Sequence, residues 1–213
     1  MVERILRATN EDSFIVSSLD APAPFTFNTA LAEVFPIDHV PLLLAVSDGM
    51  GGPPAGEVAS ALTVSWLRKN MPRTSDDWAA SLLHAARRAN FEVWEAGRGA
   101  ERRGMGATLT AVCIDHLTAH VVAVGDSRLY RFRNGALEQL TRDQSYVQMM
   151  LDTGQMTPEQ AHTSSMRGVI LQAVGTAREL DSRTDTVELQ FEDRLLLCSD
   201  GLSSELSAGV IAQ

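Results

Sequence analysis

Three apolar runs of strand length each end in an aspartate, and this feature restricts the fold more than any other in the chain. The runs LLLAVSDG, HVVAVGDS and RLLLCSDG end at or near Asp48, Asp126 and Asp200. A continuous apolar run of this length is typical of a strand that is buried on both faces. Glycine stands beside each aspartate, so the backbone there can approach another group closely. We therefore expect carboxylates at the ends of buried strands.

The residues around these strand ends favour a metal site. Glu11 and Asp12 form a further acidic pair directly before the apolar run SFIV. Strand ends at one sheet edge can converge, and clustered carboxylates repel one another unless a cation lies among them. Oxygen ligands, including the Gly49 carbonyl, favour Mg²⁺ or Mn²⁺ over Zn²⁺. Alternatively, Asp48 and Asp200 are turn residues or cap the helices that follow, and the spacing alone leaves both interpretations open.

The rest of the pattern predicts an α+β fold in which helices cover antiparallel sheets. The dipeptide Asn134-Gly135 predicts a hairpin turn, and the long segment 19–39 is expected to be a loop. Strands are predicted over 13–18, 40–48, 106–115, 118–126, 127–135, 136–141, 184–190 and 193–200. Helices are predicted after Pro54, from about Asp76, irregularly over 145–168, and from about Ser204.

Composition limits the class of protein. The chain has 213 residues, which suits one domain, and its net charge of -9 argues against a nucleic-acid-binding surface. Cys113 and Cys198 lie in apolar runs and are expected to be packed core thiols rather than a disulfide. No stretch approaches the roughly 18 apolar residues of a membrane span, so we expect a cytoplasmic protein without a membrane partner.

Six motifs follow one another along nearly the whole chain. They are RATNEDS (7–13), DGMGGPPAGEVAS (48–60), GMGATLT (104–110), GDSRLY (125–130), LTRDQSYVQ (140–148) and CSDGLS (198–203). In this order they resemble segments of the metal-dependent protein phosphatases, also called type 2C serine/threonine phosphatases, in their bacterial form. The resemblance implies one catalytic domain over 1–213 with two packed antiparallel β-sheets flanked by helices, a four-layer α-β-β-α sandwich.

The resemblance also implies a metal centre at one end of the sandwich. It would hold two Mn²⁺ or Mg²⁺ ions, and a third in bacterial members, through Asp48, Gly49, Asp200, Asp126, Glu11 and Asp12. Asp48 would bridge the first two ions, and the Gly49 carbonyl would bind the second. Asp200 would hold the first ion and, with Asp126, favour the third. Glu11 and Asp12 would bind the second ion directly or through waters.

The same resemblance implies a reaction and its partners. Arg7 would pair with the substrate phosphate, a task that suits the two-pronged guanidinium group. A hydroxide bridging the metals would attack phosphorus in line and release serine or threonine without a phospho-enzyme. Residues 144–169 match the variable flap beside the site. The expected partners are phosphorylated proteins, in particular a Ser/Thr kinase or its substrates.

The chain also departs from the family pattern. The sequence ends at Gln213, and compared with the family pattern we expect a chain truncated at the C-terminus, without the last aspartate ligand and without the first strand and the last helix and strand. Met50 and Pro53 stand where members often have a histidine. These departures motivate an alternative, a catalytically impaired pseudophosphatase that acts as a phosphopeptide-binding or regulatory module. An aspartate-nucleophile phosphatase is excluded, because it requires a second aspartate where Met50 stands.

Overall fold

The structure is a computed structural model, and it describes residues 10–20, 40–52 and 54–212. Arg7, most of the segment 19–39 and Pro53 lie outside the described residues. The strands are β1 (Asp12–Ser18), β2 (Leu42–Met50), β3 (Gly106–Ala107), β4 (Leu109–Asp115), β5 (Thr118–Val124), β6 (Arg128–Arg133), β7 (Ala136–Gln139), β8 (Thr184–Glu188) and β9 (Arg194–Cys198). The helices are α1 (Ala55–Asn70), α2 (Trp78–Ala96), a 3₁₀ turn (Ala100–Arg102), α3 (Tyr146–Asp152), α4 (Pro158–Thr163), α5 (Asp200–Ser203) and α6 (Ala208–Ile211).

The described strands form two antiparallel sheets. The larger sheet has the order β1-β2-β4-β5-β8, and β3 adds to it by pairing with β2. The smaller sheet has the order β7-β6-β9. The long helices α1 and α2 pack together against the larger sheet, and the short helix α6 contacts β7 of the smaller one. The predicted α+β class with two antiparallel sheets and flanking helices is confirmed.

Two apolar cores hold these layers together. The first lies between the long helices and the larger sheet, with Leu43, Leu67, Leu82 and Leu109 fully buried. The second lies between the sheets, where Leu129 of β6 packs with side chains of β4 and β5. Strand β4 faces both cores and is buried over its first six residues, as its apolar run predicts. Burial of each such leucine stabilises the fold by about 1.5–3 kcal/mol.

Some predicted boundaries were wrong for identifiable reasons. The predicted strand over 106–115 divides at Thr108, whose side chain bonds to groups outside its own strand. The predicted strand over 193–200 ends at Cys198, and a short helix begins at Asp200 instead of at about Ser204. The irregular segment 145–168 forms two short helices, α3 and α4.

The break between these two helices follows the residues that predicted it. Gly154 has a φ of +68°, which glycine adopts readily. Pro158 begins α4, and Thr157 caps it by accepting a hydrogen bond from the Gln160 amide. Similarly, Asn134 and Gly135 have φ values of +51° and +80°, as a tight hairpin turn between β6 and β7 requires.

The prediction for the two cysteines agrees with the described residues. Cys113 and Cys198 are both free and buried, so they are core thiols. Among the helices of the described part of the chain, none is long and apolar enough to cross a membrane.

Candidate metal centre

The first two strands place two aspartates side by side. In the antiparallel register of β1 and β2, Asp12 lies directly opposite Asp48. This register is specified because Ile15 and Leu43 must face the core, and a slip by one residue would turn them away from it. The Ser199 hydroxyl donates to Oδ2 of Asp12 over 3.0 Å, which brings the end of β9 to the same place.

The three carboxylates of Asp12, Asp48 and Asp200 interact strongly. The pKa of Asp48 is raised to about 8, first by burial and then by the charges of Asp12 and Asp200 and hydrogen bonds with them. Like charges held this close favour a shared proton or a cation between them. Neither capping interpretation holds, because Pro54 and Ser199 occupy the cap positions of α1 and α5. The carboxylates of Asp48 and Asp200 therefore do not serve as helix caps.

Thr108 holds the backbone of Asp48 in place. Its Oγ1 accepts a hydrogen bond from the Asp48 amide over 2.9 Å, and its own amide donates to the Asp48 carbonyl over 2.8 Å. The Thr108 hydroxyl also shares a hydrogen bond of 2.7 Å with the Ser127 hydroxyl. These bonds explain why the strand is interrupted at Thr108, and they fix the strand end that presents the Asp48 carboxylate.

Two glycines allow the backbone to close up beside Asp48. A Cβ atom on Gly49 would lie 2.0 Å from the Gly56 carbonyl oxygen, so no larger residue fits there. A Cβ on Gly56 would lie 2.9 Å from Cδ of Glu11, so the Glu11 carboxylate rests against the start of α1. The Gly49 amide donates to the Glu11 carbonyl over 3.1 Å. Oε1 of Glu11 is buried without a hydrogen-bond partner, which fits a site that receives a cation or its waters.

Asp126 lies beside Asp200 in the connection between β5 and β6. Its pKa is raised to about 6, first by burial and then by the charges of Asp200 and Asp143. The sequence pattern predicts no role for Asp143, although this residue lies in the motif LTRDQSYVQ. Arg128 Nε donates to both carboxylate oxygens of Asp143, over 2.9 Å to Oδ1 and 3.1 Å to Oδ2, and Nη2 donates to Oδ2 over 2.6 Å. This pair anchors the start of the segment that leads to α3.

A cavity of about 530 Å³ opens beside these carboxylates. Asp126 and Asp200 line one side, and residues of the segment predicted as a flap, including His162 and Arg167, line another. Both flap residues are exposed. Asp12 and Asp48 are not among the residues that line it, so the cavity meets the carboxylate group at Asp126 and Asp200.

The structure thus brings together most of the predicted site residues. Asp12, Asp48, Asp200 and Asp126 form one interacting group, and Glu11 lies next to Gly49, whereas Arg7 is outside the described residues. Among the residues that the structure describes, no three carboxylate, histidine or cysteine side chains are already spaced around a single ion. The oxygen donor set fits a hard divalent ion.

Comparison with known proteins gives a consistent assignment. Residues 33–210 match the family model described as Protein phosphatase 2C. The chain is 39% identical over 173 residues to the serine/threonine protein phosphatase PstP of Mycobacterium tuberculosis, a match that covers 80% of this chain and 34% of PstP. It is also 35% identical over 173 residues to the serine/threonine phosphatase stp of Listeria monocytogenes, covering 78% of this chain and 68% of that protein.

A solved structure resembles the whole described fold. It is the catalytic domain of PstP in complex with two manganese ions, with a TM-score of 0.77 and 35% sequence identity. The alignment covers 98% of this chain and 78% of that one. The chain therefore spans about a third of full-length PstP but most of its catalytic domain.

Proposed function

Because the match over residues 33–210 and the relatives at 39% and 35% identity show that this chain belongs to the protein phosphatase 2C family, we propose that it is a metal-dependent phosphatase of phosphoserine and phosphothreonine in proteins. The observation that supports this most is the convergence of Asp12, Asp48 and Asp200 at one end of the two sheets. Such a group is costly without a cation and is suited to binding one.

The residues that would hold Mn²⁺ or Mg²⁺ are Asp48, Asp200, Asp12, Asp126, Glu11 and the Gly49 carbonyl. When bound, the ions would supply an activated water and offset the negative charge of the phosphoryl group. Asp48 is central because its backbone is held on both sides by Thr108 while its carboxylate faces Asp12 and Asp200. No heavy atom of the described residues lies within 4 Å of a Cβ on Gly52, so the turn before α1 is open there for a phosphate to approach.

Arg7 is proposed to bind the substrate phosphate, and residues 144–169 to act as a flap over the cavity. The proposed partners are phosphorylated proteins, including a Ser/Thr kinase or its substrates. A phosphopeptide-binding pseudophosphatase finds no support in the relatives, which are named as phosphatases.

The test is release of phosphate from a phosphothreonine peptide in Mn²⁺ and in EDTA. Wild type should turn over only with the metal, and Asp48→Asn and Asp200→Asn should each lower kcat/KM by at least about 100-fold, because each removes charge from the metal centre. Asp115→Asn is the matched control. Asp115 also ends an apolar strand, but it lies at the opposite end of β4 from Leu109, next to the hairpin with β5.

Asp115→Asn should retain wild-type activity. Turnover that persists in EDTA, or wild-type rates in both Asp48→Asn and Asp200→Asn, would contradict the proposed function.

A further inference from the structure

Two arginines lie over one tryptophan at the end of α2. The guanidinium carbon of Arg98 is 5.4 Å from the centroid of the Trp94 ring, and that of Arg178 is 5.9 Å from it. Trp94 is half-buried, whereas both arginines are exposed. We call these three residues the Trp94 platform. An arginine over an aromatic ring is held by cation–π attraction while its N–H groups remain free to bind an anion.

The platform is held in place by a buried asparagine. Asn90 is only 1% exposed, and its Nδ2 donates to the carbonyls of Ala177 and Arg178 over 3.0 and 3.1 Å. Its Oδ1 accepts from the Gly175 amide over 2.8 Å. Gly175 has a φ of +84°, and a Cβ there would lie 2.3 Å from Val93. The loop that carries Arg178 is thus packed tightly onto α2, which reduces the entropy lost when an anion binds.

Carboxylates of the protein neutralise the positive charges of Arg98 and Arg178 only weakly. Within the described ranges of the chain, no carboxylate lies within 4.0 Å of the Arg178 guanidinium. Glu95 approaches Arg98 at 3.3 Å, but the two side chains are 40% and 65% exposed, so water competes with this pair. Since the whole chain has a net charge of -9, the platform is a local basic site on an acidic protein.

Backbone contacts place the platform at the same end of the fold as the metal centre. Gly49 pairs with Ala107 across β2 and β3, and Ala107 exchanges backbone hydrogen bonds of 3.0 and 2.8 Å with Val174. Val174 lies only a few residues before Arg178 in the chain. On the other side of the platform, the segment after Arg98 runs to Gly104, whose carbonyl would lie 3.3 Å from a Cβ on Gly51.

We propose that the Trp94 platform binds an anionic side chain of the substrate protein, a few residues from the phosphoserine or phosphothreonine that is hydrolysed. This inference rests on the proposed function and adds a preference for acidic flanking sequence. Two guanidinium groups suit a carboxylate, and a second phosphate shares the same chemistry.

The experiment measures kcat/KM for a series of peptides, each with one phosphothreonine and one pair of glutamates. The series varies the distance of the glutamate pair from the phosphothreonine, on its N-terminal and on its C-terminal side. Matched peptides have glutamine pairs, and a further set has a phosphoserine at the glutamate position to distinguish carboxylate from phosphate. We expect one position at which glutamate raises kcat/KM by about two- to tenfold, mainly through a lower KM. The Arg98→Gln, Arg178→Gln double variant should lose this gain.

The double variant should keep the wild-type rate on glutamine peptides and on p-nitrophenyl phosphate, because neither reaches the platform. Arg194→Gln is the matched control, since Arg194 is an exposed arginine on β9 of the smaller sheet. It should retain the glutamate preference. Equal rates for all glutamate and glutamine peptides would overturn the proposal, as would an equal loss in Arg194→Gln.

Binding of fluorescent peptides in EDTA, followed by anisotropy, separates the two proposals. If wild type hydrolyses neither p-nitrophenyl phosphate nor any peptide, the proposed function fails. A glutamate-dependent affinity that is lost in the double variant would still support the platform. Equal affinity for both peptide sets, or a preference for single-stranded RNA over the glutamate peptides, would overturn it.

Discussion

At the scale of single residues, the candidate centre depends on small side chains that position Asp48. Thr108 satisfies both backbone polar groups of Asp48, and its hydroxyl is itself paired with Ser127. Thr108 is buried, so water cannot replace these bonds if they are lost. Gly49 performs a different task, because its missing side chain lets β2 contact the start of α1. Neither residue bears charge, yet both determine where the charged group lies.

Thr108→Val should lower the free energy of unfolding by about 1–3 kcal/mol, because it leaves the partly buried Asp48 amide without an acceptor. It should also raise the Mn²⁺ concentration needed for half-maximal activity. The matched control is Thr110→Val, which removes a buried hydroxyl that donates to the Ser127 carbonyl and does not contact Asp48. Urea unfolding and Mn²⁺ titration measure the two effects. Equal Mn²⁺ requirements in both variants would show that Thr108 does not position Asp48.

Gly49→Ala should destabilise the chain by about 3 kcal/mol, since the new methyl group collides with the backbone of Gly56. Gly209→Ala is its control. No heavy atom lies within 4 Å of a Cβ at Gly209, and the residue is helical, so its stability should change by less than about 1 kcal/mol. Thermal unfolding compares them, and a Gly49→Ala variant as stable as wild type would contradict the close packing described here.

At the scale of elements, the smaller sheet is held by an ion pair at the end away from the metal centre. Arg133 at the end of β6 binds Asp193 in the turn before β9, with hydrogen bonds of 2.7 Å from Nε and 2.6 Å from Nη2. Asp193 also accepts from the Gln190 amide over 2.8 Å. The pair fixes the start of β9, the strand that leads to Asp200. We therefore expect the position of Asp200, a proposed metal ligand, to depend on a contact at the other end of the strand that precedes it.

This pair predicts an acid-dependent loss of stability. The hydrogen bond from Arg133 lowers the pKa of Asp193 to about 2 in the folded chain, against about 3.9 for an unperturbed aspartate. Because the folded chain favours the ionised form of Asp193, this carboxylate stabilises the fold above about pH 4. The stabilisation is lost as the pH falls toward 2 and the carboxylate becomes protonated. Asp193→Asn should therefore lower the urea midpoint at pH 7, and its difference from wild type should shrink from pH 4 to pH 3.

Asp185→Asn is the control for this measurement. Asp185 lies 3.8 Å from Arg183, and its side chain is 62% exposed, so its removal should leave the midpoint almost unchanged. A difference between Asp193→Asn and wild type that stays constant from pH 7 to pH 3 would show that the ion pair is not the source of the stability.

At the scale of the whole molecule, chain segments that are far apart in sequence meet at one end of the two sheets. Asp12 and Asp48 come from the larger sheet, Asp200 follows the smaller one, and Asp126 lies in the connection between them. Folding therefore brings like charges together, and the free energy gained from two apolar cores opposes their repulsion. A ligand that binds this end in the folded state alone must stabilise the whole fold.

Mn²⁺ should therefore raise the thermal midpoint of the chain. At a free concentration about 100 times Kd the stabilisation is about 2.7 kcal/mol, which corresponds to roughly 5–10 °C for a domain of this size. Asp48→Asn should abolish most of the shift, and Asp115→Asn should retain it. Differential scanning fluorimetry with and without EDTA measures this independently of activity. Equal shifts in the two variants would place the metal elsewhere in the chain.

The sequence by itself determined the local elements and the chemistry of the candidate centre. Side-chain periodicity predicted most strands and helices, because each residue's preference for core or solvent is a local property. Asn134-Gly135 predicted its hairpin for a similarly local reason. The strand-end aspartates indicated a metal centre, and the order of six motifs identified the family that the comparisons then showed.

Only the tertiary structure decided which groups meet. It interrupted the predicted strand at Thr108, because the Thr108 hydroxyl satisfies the backbone amide of Asp48 on β2, 60 residues away in sequence. It ended β9 before Asp200, paired Asp143 with Arg128, and brought Arg178 to Trp94 through the hydrogen bonds of Asn90. These contacts depend on the order of strands within the sheets and on packing between distant segments, and such distances are not contained in any local pattern of residues.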